Sequence, residues 1–285
     1  AGLPIFERAQ AWGYLMRAYR SAICVAGTHG KTTTTSMLTH IFMEAGKDPT
    51  VMIGGFLPLL GAGHRVGNGD TIILESCEYC NSFLNFFPTT AVILDIDADH
   101  LDFFSDLADI QRSFRAFAEL VPQDGLIVAN ADDANTRQAL SGLRYVRFGL
   151  GADCEVRAEN LSADFSQFDV LCGGAPFCHM ELGVIGRHNV YNALAACAVA
   201  WKAGIDGETC ARALRQFHGA GRRLEHKGSF HGAEVYDDYA HHPNELHALL
   251  QAVRLMGYRR VICAFQPHTY SRTKALFQDF VDELR

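Results

Sequence analysis

Apolar and polar positions along this chain switch repeatedly between a strand period and a helix period. Short apolar runs predict strands over Ser21–Ala26, Thr50–Ile53, Thr71–Leu74, Ala91–Ile96 and Leu126–Ala129. Between them Lys31–Gly46 reads as a helix stopped by Gly46. Leu107–Val121 places Ile110, Phe114, Phe117 and Val121 on one helical face, and Asp133–Leu140 reads as a short helix. Strands alternating with helices in this way predict an α/β fold with a doubly wound, mainly parallel sheet. From Val146 to Leu182 the texture changes to short strand-like pieces broken by glycine and polar residues, so a β-rich extension is expected there. Helices follow over Asn189–Ala203 and Glu208–Phe217. Gly219-Ala220-Gly221-Arg222-Arg223 then reads as a hinge, and the alternation restarts with strands over Glu234–Asp237 and Val261–Phe265 and helices over Pro243–Leu255 and Thr273–Leu284. The expected organisation is a central domain over 1–221 and a partial second domain over 222–285. The second holds too few βα units to cover a sheet on both faces.

Composition narrows the function classes. The 285 residues are 48% hydrophobic and 20% charged, an ordinary globular balance. The net charge of -7 and the lack of a basic stripe argue against nucleic acid as a partner. No apolar run is long enough to predict a spanning helix, and the start at Ala1-Gly2-Leu3-Pro4 has no secretion-signal pattern. Nine scattered cysteines, several in apolar runs (Cys24, Cys197, Cys263), suit buried thiols in a reducing cytoplasm. Cys77-Glu78-Tyr79-Cys80 has no second pair to complete a zinc site.

Gly27-Thr28-His29-Gly30-Lys31-Thr32 lies between an apolar strand and a helix, where a phosphate loop must lie. Glycines let backbone N–H groups approach phosphate oxygens, Lys31 supplies a cation to them, and the Thr32 hydroxyl suits Mg²⁺. The spacing is shorter than the general phosphate-loop pattern, since Val25 takes the place of the first glycine. A glycine-rich turn capped by threonines is the structural alternative. Glu75 should stand at the end of its strand, and Asp95-Ile96-Asp97-Ala98-Asp99-His100 at the end of the next. Carboxyl ends of strands converge on the ligand crevice of such a sheet, so Glu75 and His100 are candidate metal ligands beside the loop. Calcium is rejected, because an EF-hand needs glycine where His100 stands. A solvated acidic loop is the alternative here.

In order along the chain stand Gly27–Thr34, Glu75-Ser76-Cys77-Glu78, Asp97-Ala98-Asp99-His100-Leu101-Asp102, Gly186-Arg187-His188-Asn189-x-x-Asn192, Gly221-Arg222-Arg223, Asp237-Asp238-Tyr239-Ala240-His241-His242-Pro243 and Gln266-Pro267-His268-x-Tyr270-Ser271-Arg272-Thr273. This set resembles the Mur ligases of peptidoglycan synthesis, and among them the alanine-adding members. The resemblance covers essentially the whole chain. It implies ATP and Mg²⁺ as cofactors, UDP-N-acetylmuramate and L-alanine as substrates, and a cytoplasmic ligase that works through an acyl phosphate. It implies nucleotide contacts from Gly27, Thr28, His29, Gly30, Lys31, Thr32 and Thr33, with adenine at His188, Asn189 and Asn192. Arg223 would reach phosphate across the domain cleft, and Asp238 would contact ribose or hold the domains in register. Thr32, Glu75 and His100 would hold metal. Tyr239, His241, His242, His268 and Arg272 would line the amino-acid side, with Arg272 clamping the alanine carboxylate.

For Asn189 and Asn192 the residues alone suggest a helix cap and an exposed polar position. Asp237, Asp238, His241 and His242 read alone suggest zinc, a minor reading given Pro243. Position 269 is Thr where some alanine-adding members have a second arginine. No lysine occurs between Lys47 and Lys202, and Gln111 lies in the helix where several other Mur ligases carry a modified lysine. A murein tripeptide recycling ligase, a folylpolyglutamate-type ligase and a non-catalytic ATP-binding module are the alternatives. Full Mur ligases begin with a UDP-binding domain that has no counterpart here, so the chain is expected to be a piece of a longer protein, with Mg-ATP binding but little turnover alone.

Overall fold

The computed structural model describes residues 5–285; the start at Ala1–Pro4, read above for a signal, lies outside the described residues. Helix α1 (Arg8–Met16) leads into β1 (Ser21–Ala26), α2 (Lys31–Glu44), β2 (Thr50–Leu57), β3 (Ala62–Arg65), β4 (Thr71–Glu75), a 3-10 turn (Tyr79–Asn85) and β5 (Thr90–Ile93). Next come α3 (Leu107–Glu119), β6 (Leu126–Asn130), α4 (Ala134–Ala139), β7 (Val146–Gly149), β8 (Val156–Glu159), β9 (Gln167–Cys172) and β10 (Ala175–Glu181). Helices α5 (Arg187–Lys202) and α6 (Gly207–Arg215) precede β11 (Glu225–Phe230), β12 (Ala233–Asp237), α7 (Pro243–Leu255), α8 (Tyr270–Ala275) and α9 (Phe277–Glu283).

One ten-stranded sheet runs in the order β10-β9-β8-β7-β6-β5-β1-β4-β2-β3. Pairing from β8 through to β2 is parallel, while β9 and β10 at one edge and β3 at the other are antiparallel. The β-rich stretch therefore continues the sheet. Side chains of β1 alternate between two cores, as the period of two requires. Ile23 and Val25 pack with Met37, Leu38 and Ile41 of α2 and with Leu194 and Ala198 of α5. Ala22, Cys24 and Ala26 face Phe114 and Phe117 of α3 and Phe83 of the 3-10 turn. Phe83 stacks on Phe117 at 4.6 Å and meets Phe114 edge-on at 5.3 Å. Each such ring contributes about 1.5–3 kcal/mol by leaving water. From β1 the chain crosses to β2 on one side, and from β4 it passes back over β1 to β5 on the other. The carboxyl end of β1 is thus the switch point of the sheet, where open α/β folds hold ligands.

Several predicted boundaries are corrected. β2 runs on to Leu57 because it pairs with β3, an antiparallel strand that the sequence reading missed, as it missed α1, the 3-10 turn and β11. The strand expected over Ala91–Ile96 stops at Ile93, since Asp95 turns out to hold the phosphate loop. Val261–Phe265 is not a strand: β12 pairs only with β11, and Val261 and Ile262 lie exposed without a ladder partner. The helix expected over Thr273–Leu284 is two helices, α8 and α9, separated at Leu276 (φ -110°, ψ 25°). Cys24 and Cys197 are buried as expected, whereas Cys263 is exposed.

Candidate active site

Gly30 ends the loop after β1 with φ 80°, a left-handed conformation that glycine adopts without strain, and no side chain caps the helix that follows. The first-turn amides of α2 are therefore directed into the cleft with the positive end of the helix dipole. The loop is tied down behind them: Thr28 N–H donates to the Asp95 carbonyl at 3.2 Å, and His29 N–H to Asp95 Oδ1 at 2.9 Å. Burial lifts the Asp95 carboxyl to about 6, against the pull of His29 and Lys31.

Lys31 folds back over its own loop. Its Nζ donates to the Gly27 carbonyl at 2.5 Å, the Thr28 carbonyl at 3.1 Å and Glu78 Oε2 at 2.9 Å. Burial opposes its charge, but Glu78 overrides that and lifts the Lys31 pKa above the ordinary lysine value. Thr32 Oγ1 donates to Glu75 Oε1 at 3.1 Å, and Gly54 N–H holds the other Glu75 oxygen at 2.7 Å. His100 stands on the far side of Glu78, with Nε2 3.7 Å from Glu78 Oε1. Its backbone is left-handed (φ 53°), held by its N–H to Asp99 Oδ1 at 2.7 Å, and its ring lies 4.7 Å from Tyr79. The structure thus brings Lys31, Thr32, Glu75 and His100 together and adds Glu78, which sequence reasoning quoted in a motif but gave no role. A hydroxyl, two carboxylates and an imidazole on either side of a lysine fit a hard divalent cation with oxygen-rich ligation.

A cleft of about 640 Å³ opens from the loop towards α5 and α7. His29, Gly30, Thr33, Asp97, Asn130 and Asn192 line it, together with Phe148, Ile185, His188, Asn189, Leu249 and Met256. Gly186, not Asn189, is the N-cap of α5. Asn192 is buried, accepts from Thr34 Oγ1 at 3.1 Å and donates to Asn189 Oδ1 at 3.2 Å, which corrects the reading of a cap and an exposed amide. Arg223, at the end of the Gly219–Arg223 segment, and Asp238, after β12, reach the same cleft. The Asp238 carboxylate accepts the N–H groups of Leu224 at 2.6 Å and Ala240 at 2.7 Å, so it locks the hinge to the end of β12.

A second cleft of about 460 Å³ is lined by Thr32, Gly54, Phe56, Arg222, Arg223, Lys227 and Tyr239. Tyr239 is flanked by the guanidinium groups of Arg222 and Arg223 at 4.8 and 5.6 Å. The amino-acid set stays together: Tyr239 meets His241 at 4.9 Å between ring centres, His241 meets His268 at 6.1 Å, and Arg272 Nη1 donates to the His268 carbonyl at 3.3 Å. Arg272 already grips a carboxylate of its own chain. Its Nε and Nη2 donate to Asp99 at 2.9 and 2.8 Å in a buried bidentate pair.

Sequence reasoning also missed Asn244 and Glu245 of α7. Asn244 donates its amide to Asp97, and Glu245 Oε1 stands 3.5 Å from His29 Nδ1 and 4.0 Å from Arg223. His29 is thereby set among Asp95, Asp97 and Glu245. Burial alone would depress its pKa, but those carboxylates raise it to about 10. The His29 contact in turn holds Asp97 well below the usual carboxylate range. Glu245, despite burial, is held low by His29 and His241.

Such a loop, cleft and sheet define an α/β core of the phosphate-loop class. Residues 25–200 match the Mur ligase middle domain and residues 222–285 the Mur ligase glutamate ligase domain. The chain belongs to the Mur ligase family, for which use of ATP and Mg²⁺ is the family-level expectation. It is 46% identical over 286 residues to the UDP-N-acetylmuramate–L-alanine ligase of Caldanaerobacter subterraneus subsp. tengcongensis, covering 99% of this chain and 62% of that protein. Against the enzyme of the same name from Caldicellulosiruptor saccharolyticus it is 45% identical, covering 99% and 63%. Among solved structures, the UDP-N-acetylmuramate-alanine ligase of Thermotoga maritima superposes with a TM-score of 0.77 at 31% identity, covering 92% of this chain and 61% of that one. A murein peptide ligase from Psychrobacter arcticus gives 0.74 at 26% identity, covering 98% and 65%. The chain thus spans about 62% of the length of the curated relatives it matches.

Proposed function

We propose that this chain is the ATP-binding and amino-acid-side part of a cytoplasmic ligase that joins L-alanine to the lactyl carboxylate of UDP-N-acetylmuramate. The observation that carries the reading is Lys31 at the uncapped start of α2, bracketed by Thr32 with Glu75 on one side and Glu78 with His100 on the other. In the first step a lactyl carboxylate oxygen attacks the γ-phosphorus of ATP, the bond to the bridging oxygen breaks, and ADP leaves. Lys31 and the α2 amides take up charge on the transferring group. One Mg²⁺ held by Thr32 and Glu75, and a second held by His100 with Glu78 beside it, would neutralise the phosphate and carboxylate anions that must approach each other. In the second step the alanine amine attacks the acyl carbon, the amide forms, and inorganic phosphate leaves with the mixed-anhydride oxygen.

The apolar lining of the larger cleft suits a purine, with the amide groups of Asn189 and Asn192 to meet it and Arg223 and Asp238 for phosphate and ribose. The basic cleft at Arg222, Arg223, Lys227 and Tyr239 suits the anionic substrate. Tyr239, His241, His268 and Arg272 lie where the amino acid would enter, so Arg272 would exchange Asp99 for the alanine carboxylate. We assign 1–221 and 222–285 as the two working units, meeting at the Gly219–Arg223 hinge.

The test is ADP release by the full-length protein with Mg-ATP, UDP-N-acetylmuramate and single amino acids. Release that needs both UDP-N-acetylmuramate and alanine is expected. Acceptor-independent hydrolysis would point to a nucleotide switch, and a preference for a murein tripeptide or for folate and glutamate would replace the alanine reading.

A further inference from the structure

Beside the phosphate loop, His29, Asp97 and His242 each bring one ring nitrogen or carboxylate oxygen to within 4.8 Å of the others. We propose that these three residues form a site for a zinc-class divalent cation that staples α7 to the phosphate loop. His29 Nε2 and Asp97 Oδ2 are 3.4 Å apart. That is close to the roughly 3.3 Å edge of a tetrahedral zinc site with bonds of about 2.0–2.1 Å.

His242 supplies the independent pointer to a ligand. It is 4% exposed, and its Nδ1 takes the Asn244 N–H at 3.3 Å, which leaves Nε2 buried with no hydrogen-bond partner. Buried polar groups are rarely left unpartnered, and one that is calls for a bound water or ion. Two imidazoles and one carboxylate favour zinc over magnesium, which prefers all-oxygen sites. The set is distinct from Thr32, Glu75, Glu78 and His100.

Supporting contacts are in place around it. His29 Nδ1 is likewise buried without a hydrogen-bond partner, with Glu245 Oε1 3.5 Å away as the carboxylate it would turn to once Nε2 holds the cation. Ala98 N–H and the Asn244 amide hold the Asp97 carboxylate. Protons balance as follows: His29 releases one to solvent, and His242 moves its remaining proton from Nε2 to Nδ1, giving up the weak Asn244 contact. The other half of the α7 capping box remains, since Glu245 Oε2 still accepts the His241 N–H at 2.9 Å and the His242 N–H at 3.3 Å. The carboxyl groups of Asp95, Asp97 and Glu245 surround this spot, a setting that suits a cation.

The inference stands apart from the ligase reading, because it is tested without nucleotide. Zinc chloride is titrated calorimetrically into the full chain in excess Mg²⁺, and cobalt(II) is added in parallel for its visible spectrum. One zinc per chain and an intense tetrahedral cobalt band are expected. His242→Ala and His29→Ala should each weaken zinc by about 10-fold or more, while His100→Ala leaves it within about twofold. If His242→Ala does not fold, His29→Ala decides. No saturable zinc, undiminished zinc in the folded variants, or loss in His100→Ala instead would overturn the assignment.

Discussion

At the residue scale, Lys31 is engaged before any nucleotide arrives, its ammonium shared between Glu78 and two loop carbonyls. Two consequences separate cleanly. Lys31→Met removes the cation needed for phosphate and should abolish the thermal shift given by Mg-ATP. It also leaves Glu78, which is 2% exposed, without its partner. Breaking a buried pair from one side costs about 3–5 kcal/mol, so the variant should unfold at clearly lower urea. Adding Glu78→Gln removes the stranded charge, and we expect most of the stability back with no return of the Mg-ATP shift. A double variant as unstable as Lys31→Met would show that the pair is not what costs the stability. Lys31, Thr32, Glu75 and His100 were legible in the sequence because each sits in a local pattern at a strand end. Glu78 was printed in one of those patterns, yet its role depends on a turn with left-handed Cys80 and Asn81 (φ 54° and 53°) that brings it under Lys31. His29 and Glu245 meet only through the tertiary fold, and no local pattern signals such a pair.

Elements with strong periodicity were read well, and those defined by partners were not. Helix α3 carries its own apolar stripe and an Asp106 side-chain cap, so sequence alone placed it. β3, half-buried, and β11, largely exposed, lack a buried apolar face of their own and take strand form by pairing with β2 and β12. Between elements, α2 carries His40, buried edge-on against Phe217 at 5.4 Å. Burial, with His218 nearby, lowers its pKa from 6.5 to about 4. The unfolded chain then binds this proton first as pH falls, so the contribution to stability is flat above the unfolded pKa and is lost between 6.5 and about 4. His40→Gln should flatten that part of the urea midpoint against pH profile, and an unchanged slope would exclude His40 as its source. The hinge gives a second test at this scale. Asp238→Ala removes the acceptor for the Leu224 and Ala240 N–H groups, at a cost of about 1.5–3 kcal/mol for each hydrogen bond to the charged group. Limited proteolysis should then cut near Gly219–Arg223 well before the ten-stranded sheet is attacked.

For the whole molecule, the contacts that bring α7 and α8 against the sheet are largely polar. Asn244 meets Asp97, Glu245 faces His29 and Arg223, and Arg272 takes Asp99 in a bidentate grip. Polar contacts of that kind are open to exchange with solvent or ligand in a way that apolar burial is not. The Arg272–Asp99 pair is the most buried of these contacts, so salt screens it least and it should dominate the closed arrangement. Burial opposes the Asp99 charge, but His100 and Arg272 hold its carboxyl below the usual range, so the pair persists at neutral pH. Asp99→Ala leaves the guanidinium without a carboxylate, and the stranded charge costs about 3–5 kcal/mol unless the segment swings out to water. We therefore expect faster hydrogen exchange at Gln266–Ala275 and around Asp97–Asp102 in this variant, with β1, β4 and β5 unchanged. If Arg272 is also the clamp for an amino-acid carboxylate, alanine and Asp99 compete for one fork of donors. Added alanine should then slow exchange at Gln266–Ala275 in Asp99→Ala more than in the unaltered protein, since no internal carboxylate has to be displaced. Equal protection in both, or none in either, would mean that Arg272 serves the closed arrangement alone.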